Sequence, residues 1–128
     1  MSKEIQVQIG LQCKNGEFTL PRMGGGHSID QTVVGGGLPG YLLVGTSEED
    51  ITLTDLTKPG YMYIKNCGVL GSVTNDCILT YGPKSGTMVA FGELKIGEEA
   101  CLRLADGVTL RMKSTDIETQ VQLIILED

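Results

Sequence analysis

The feature that most constrains this chain is a period-two alternation of apolar and polar residues that recurs along most of its length. Ile5, Val7, Ile9, Leu11 and Cys13 alternate with Gln6, Gln8, Gly10 and Gln12. Ile51 and Leu53 alternate with Thr52 and Thr54, and Ala100, Leu102 and Leu104 with Cys101, Arg103 and Ala105. Val108, Leu110 and Met112 alternate with Thr109, Arg111 and Lys113. Successive side chains of a β-strand point to opposite faces, so such segments read as strands with one dry and one wet face. The closing run, Val121-Gln122-Leu123-Ile124-Ile125-Leu126, begins by alternating and ends apolar throughout. A strand buried on both faces at its end has that pattern.

Turn signals divide these runs at short intervals: Asn15-Gly16, Pro59-Gly60, Asn75-Asp76, Gly82-Pro83, Ser85-Gly86 and Asp106-Gly107. Asp-Gly between two alternating segments predicts a hairpin at Asp106-Gly107. The spacing predicts about eight to ten short strands. No window has helical periodicity, and 18 glycines among 128 residues disfavour long helices. This length suits one domain. The expected fold is therefore an all-β antiparallel sandwich, jelly-roll-like, with another Greek-key sandwich or a small barrel as the alternative. Residues 1–40 are expected to hold an N-terminal strand and a glycine-rich extended arm or loop. Residues 41–128 are expected to form the sandwich. The stretch from Lys14 to Gly40, with Gly24-Gly25-Gly26 and Gly35-Gly36-Gly37, carries the backbone entropy of an arm or loop.

Composition removes several function classes. The net charge of −6 disfavours a nucleic-acid partner, which needs clustered Lys and Arg, and an anionic membrane surface on the same grounds. Aromatics are 5% and Trp is absent, which leaves few stacking platforms for bases or sugars. No apolar run approaches the roughly 18 residues of a membrane span. The N-terminus is polar, so a cytosolic origin is expected, with Cys13, Cys67, Cys77 and Cys101 as free thiols.

Candidate chemistry is sparse. Gly35-Gly36-Gly37-Leu38-Pro39-Gly40 fits Gly-x-Gly-x-x-Gly, but Pro39 sits inside it and Tyr41-Leu42-Leu43-Val44 reads as a strand where a nucleotide site needs a helix. His27 is the only histidine and is expected in an exposed loop, with nothing nearby to orient it. No Cys-x-x-Cys spacing predicts zinc. Glu48-Glu49-Asp50 is expected to be a solvated turn before a strand at Ile51. No catalytic residue, cofactor site or metal site is therefore expected, and the chain reads as a non-enzyme. Tyr61 and Tyr63 share one strand face, with Met62 and Ile64 on the other, and either face could be core. Tyr61, Tyr63, Ile125 and Leu126 are the candidate interface residues, since tyrosines and uncovered apolar strand ends suit an interface.

A family resemblance rests on four segments in order. They are Gly60-Tyr61-Met62-Tyr63-Ile64-Lys65-Asn66, Glu93-Leu94-Lys95-Ile96-Gly97-Glu98, Leu102-Arg103-Leu104, and Leu123-Ile124-Ile125-Leu126-Glu127-Asp128. In this order they resemble small jelly-roll capsid cement (decoration) proteins of tailed bacteriophage virions, over roughly Gly40 to Asp128. The resemblance implies a structural protein made in the host cytoplasm that binds assembled major capsid protein on the virion surface and stabilises the shell, often as a homotrimer. It implies no catalytic residue. The alternative is a ligand- or carbohydrate-binding sandwich module of a phage fibre or surface protein.

Overall fold

A computed structural model describes residues 4–15, 18–30, 40–51, 58–69 and 77–127, with side chains at 6–8, 40–51, 58–69 and 77–126. Among the described residues there is no helix. The chain divides into two compact units, Met1–Val34 and Gly35–Asp128.

The first unit is a two-stranded antiparallel ribbon, β1 (Glu4–Asn15) against β2 (Phe18–Asp30). Of the Lys14–Gly40 stretch expected to be arm or loop, Phe18–Asp30 is thus strand, and residues 31–39 lie outside the described residues. The physical reason is that ladder hydrogen bonds use backbone groups alone, so Gly25 and Gly26 can pair opposite Ile9 and Gln8. The register shifts between Ile9 and Leu11, at the glycine-rich part of the ribbon. His27, expected in a loop, stands in β2 opposite Val7. At the positions described, Val7 is buried while Gln6 and Gln8 are exposed, as the alternation predicts.

The second unit is a sandwich of two antiparallel sheets. One has the order β3 (Gly40–Val44), β11 (Thr119–Glu127), β5 (Pro59–Gly68), β9 (Glu99–Arg103). The other has the order β4 (Glu49–Asp50), β10 (Leu110–Ser114), β6 (Leu79–Ser85), and then an edge made of two short pieces, β7 (Thr87–Met88) and β8 (Gly92–Leu94). The pieces are bridged by bonds from the Val89 and Phe91 N–H groups to the Pro83 and Tyr81 carbonyls. They therefore occupy one strand position, which makes eight among the described residues of this unit. Successive strands alternate between sheets except at β6–β7, which is the order of a jelly roll.

The core lies between the sheets and follows the period-two pattern. Val44, Met62, Ile64, Leu79, Met112, Val121, Leu123 and Ile125 are fully buried there. Each fully buried aliphatic side chain contributes about 1.5–3 kcal/mol relative to exposure. Ile125 was a candidate interface residue, and the structure corrects this. The parity set by outward Gln120 and Gln122 sends Val121, Leu123 and Ile125 inward, leaving Ile124 and Leu126 on the other face.

Several turn expectations are also corrected. Asp106-Gly107 does not close a hairpin, because β9 and β10 belong to different sheets and the segment between them crosses the sandwich. Pro59-Gly60 opens β5 and Gly82-Pro83 lies within β6. Glycine is required at 82, because a Cβ there would sit 2.0 Å from the Val89 carbonyl oxygen. The expected solvated turn at Glu48-Glu49-Asp50 contains β4, paired to Arg111 and Met112. Ser85-Gly86 is a turn as expected: Ser85 faces Thr87, and Gly86 has φ +76°.

Candidate interaction surface

β5 sets out the site. Its inward side chains are Met62, Ile64 and Asn66, and its outward ones are Tyr61, Tyr63, Lys65 and Cys67. The strand registers extend that outer face across the whole sheet. One row runs Tyr41, Gln122, Lys65, Glu99, and the next runs Ile124, Tyr63, Cys101. Tyr41 and Leu43 are 61% and 56% exposed at the β3 end. Tyr61, Tyr63, Ile124 and Leu126 are half-buried, and Glu99, Cys101 and Arg103 are exposed at the β9 end. Three of the candidate interface residues, Tyr61, Tyr63 and Leu126, thus stand on this outer face, and Ile125 stands on the opposite one.

Polar contacts hold the aromatic side chains in place. The Tyr63 hydroxyl donates to the Glu99 carboxylate. That bond, then burial, then the Glu99 charge push the Tyr63 phenol up to about 12. Tyr63 therefore acts as a hydrogen-bond donor throughout the neutral range. The Arg103 guanidinium lies 4.8 Å from the Tyr61 ring centroid, a cation–π contact.

The outer face of the other sheet carries an ionic cluster. Arg111 bonds Glu48 at 2.8 Å and also Asp50, and Lys84 lies 3.5 Å from Asp50. Glu48 also accepts the Met88 N–H at 3.1 Å. That backbone bond, followed by Arg111, lowers the Glu48 carboxyl against the opposing effect of burial. Arg111 is the largest cause of the lowering at Asp50. The cluster pins the β4 and β7 edges to the middle of their sheet.

A third feature, which the sequence did not signal, is an apolar cleft of about 200 Å³ between the sheets. It is lined by Met62, Tyr81, Phe91, Leu102, Leu104 and Leu110, among others. Phe91, at its wall, is 77% exposed. The cleft arises because the β9–β10 crossover and the broken β7–β8 edge come together in space.

Among the described residues no three His, Cys, Asp or Glu side chains converge as metal ligands. Cys67 is half-buried, Cys77 buried and Cys101 exposed, each an unbridged thiol, and the Cys13 side chain lies outside the described residues. No helix among the described residues is long and apolar enough to cross a membrane. The chain matches no known family model, no curated protein and no solved structure.

Proposed function

We propose that this protein is a non-enzymatic virion component, a cement protein that binds assembled major capsid protein and stabilises the shell. The observation that carries this reading is the pairing of a jelly-roll sandwich with a separate two-stranded ribbon, Glu4–Asp30. A two-stranded ribbon by itself is marginally stable in water and gains stability from a surface it packs on. At about 3.4 Å per residue its 12-residue β1 strand spans roughly 40 Å, enough to reach across a neighbouring subunit. Many weakly bound copies on one lattice stabilise it by avidity, which requires a rigid module and no chemistry. The tyrosine-bearing outer face supplies residue types enriched at interfaces.

The test is co-sedimentation of the purified chain with shells assembled from the major capsid protein encoded in the same genome. Saturable binding, with shells that resist heat or denaturant better when decorated, supports the reading. Failure to bind assembled shells overturns it. One observation favours a second reading, a carbohydrate-binding module: Tyr41, Tyr61 and Tyr63 stand on one sheet face, where ring platforms for sugars would stand. A glycan array with selective binding would support that alternative.

A further inference from the structure

We infer that the cleft between the sheets is a binding site for a small uncharged aromatic molecule with one hydrogen-bond acceptor, held by the Tyr81 hydroxyl. The inference rests on the sandwich alone and does not depend on the capsid reading.

The cleft has a floor and a mouth. Met62, Tyr81 and Leu110 line it from the core, at 0%, 7% and 4% exposure. Phe91, Ala105 and Val108 line it too and are exposed. It therefore opens to solvent where the β9–β10 crossover meets the broken β7–β8 edge. A dry apolar cavity of about 150 Å³ is enough for a benzene ring. The cleft, at about 200 Å³, holds one ring with a short substituent.

Tyr81 supplies a second, independent observation. It is more than nine-tenths buried, and among the described residues its hydroxyl has no hydrogen-bond partner. Burial pushes the phenol up, so it remains a donor throughout the neutral range. A buried hydroxyl is costly until an acceptor reaches it. The backbone fixes where this one stands. The ring lies over Gly92, which leaves no room there for a Cβ, and the Phe91 N–H bonds the Tyr81 carbonyl. The hydroxyl is thus held beside Phe91, at the open end of the cleft.

The lining defines the rest of the ligand. Tyr81 and Phe91 present rings from one sheet, and Leu102 and Leu104 present aliphatic groups from the other side. An aromatic ring packs well against both, offset or edge-on to the rings. Arg103 is the one charged residue on the lining, and it already lies over the Tyr61 ring. An ionic ligand would therefore lose its hydration without a dedicated counter-charge, and an uncharged one would not.

Methyl-resolved NMR on the full-length chain tests this with two probes of one outline. Acetophenone carries a carbonyl oxygen where α-methylstyrene carries a methylene. Both should shift the methyl signals of Met62, Leu102, Leu104 and Leu110, and acetophenone should bind with a dissociation constant on the order of 0.1–1 mM, as befits so few atoms. Tyr81→Phe keeps the ring and removes only the unpartnered hydroxyl, so it should be at least as stable as wild type. It should weaken acetophenone by about threefold or more and leave α-methylstyrene unchanged. Shifts with neither probe, or only at methyls away from the cleft, overturn the inference. So does a Tyr81→Phe variant that weakens both probes equally, and so does one that is markedly less stable, since its hydroxyl would then have a partner within the fold.

Discussion

Asn66 is fully buried, yet each polar atom of its side chain is satisfied. Its Nδ2 donates to the carbonyls of Cys77 at 3.0 Å and Leu94 at 2.9 Å. Its Oδ1 accepts from the Thr119 hydroxyl at 2.7 Å and the Gly68 N–H at 3.1 Å. One side chain thus ties β5 and β11 of one sheet to Leu94 of β8 and Cys77 ahead of β6 in the other half of the sandwich. Asn66→Ala would leave several buried groups without partners, at about 1–3 kcal/mol each. The expected loss is about 3 kcal/mol or more in a urea unfolding titration, against about 1 kcal/mol for Thr119→Val, which removes one donor. Equal losses for the two variants would contradict the hub role. Asn66 shares the parity of Met62 and Ile64, a face the sequence left open as core or exterior. The sequence carried no signal that groups of Cys77, Leu94 and Thr119 would meet there.

At the scale of elements, the edges of the second sheet depend on Arg111. β4 is only two residues long, and a strand so short is held by its side chains as much as by its ladder. Glu48 and Asp50 both have lowered carboxyl pKa values in the fold, chiefly through the Met88 N–H and Arg111 respectively. A carboxyl with a depressed folded value contributes stability above its unfolded value and loses it as the pH falls through the folded one. The contribution is therefore present at pH 7 and fades in the acid range below about 4.5 and 3.8. Arg111→Met should lower the melting temperature at pH 7 and have a smaller effect at pH 2. A melting series on both proteins across that range is the measurement, and a pH-independent difference would exclude the ionic account. Glu48-Glu49-Asp50 was conspicuous in the sequence as an acidic run. Its partner, more than sixty positions away, was not legible there, because charge pairing across a sheet depends on strand order.

The whole molecule divides its labour unevenly. Among the described residues the buried core cluster runs from Val44 to Ile125. The net charge of −6 lies there too, since the first 34 residues carry three basic and three acidic side chains. A chain trimmed to Gly35–Asp128 should therefore keep its β-type circular dichroism and a cooperative melt within a few degrees of the full-length chain. Met1–Val34 alone should fold poorly, as two-stranded ribbons do. If the trimmed chain lost its cooperative melt, the ribbon would be part of the folding unit.

By itself the sequence determined that the chain is all-β and which side of most strands is dry. The period-two alternation is local: a residue's face follows from its neighbours' faces, so Met112, Val121 and Leu123 could be read inward from their own segments, whereas in β5 the tyrosines on one face and Met62 and Ile64 on the other left either face open as core. Gln122 carries the same information for Ile125, although the apolar run that follows obscured it. Tertiary structure alone decided which strands pair. Asp106-Gly107 has the composition of a hairpin turn, but turn chemistry constrains only a few dihedral angles. Whether the next strand returns to the same sheet depends on what buries Leu110 and Met112, and here that is the opposite sheet. The aromatic outer face and the apolar cleft arise from that choice, because each is assembled from segments that meet only after the sandwich has closed.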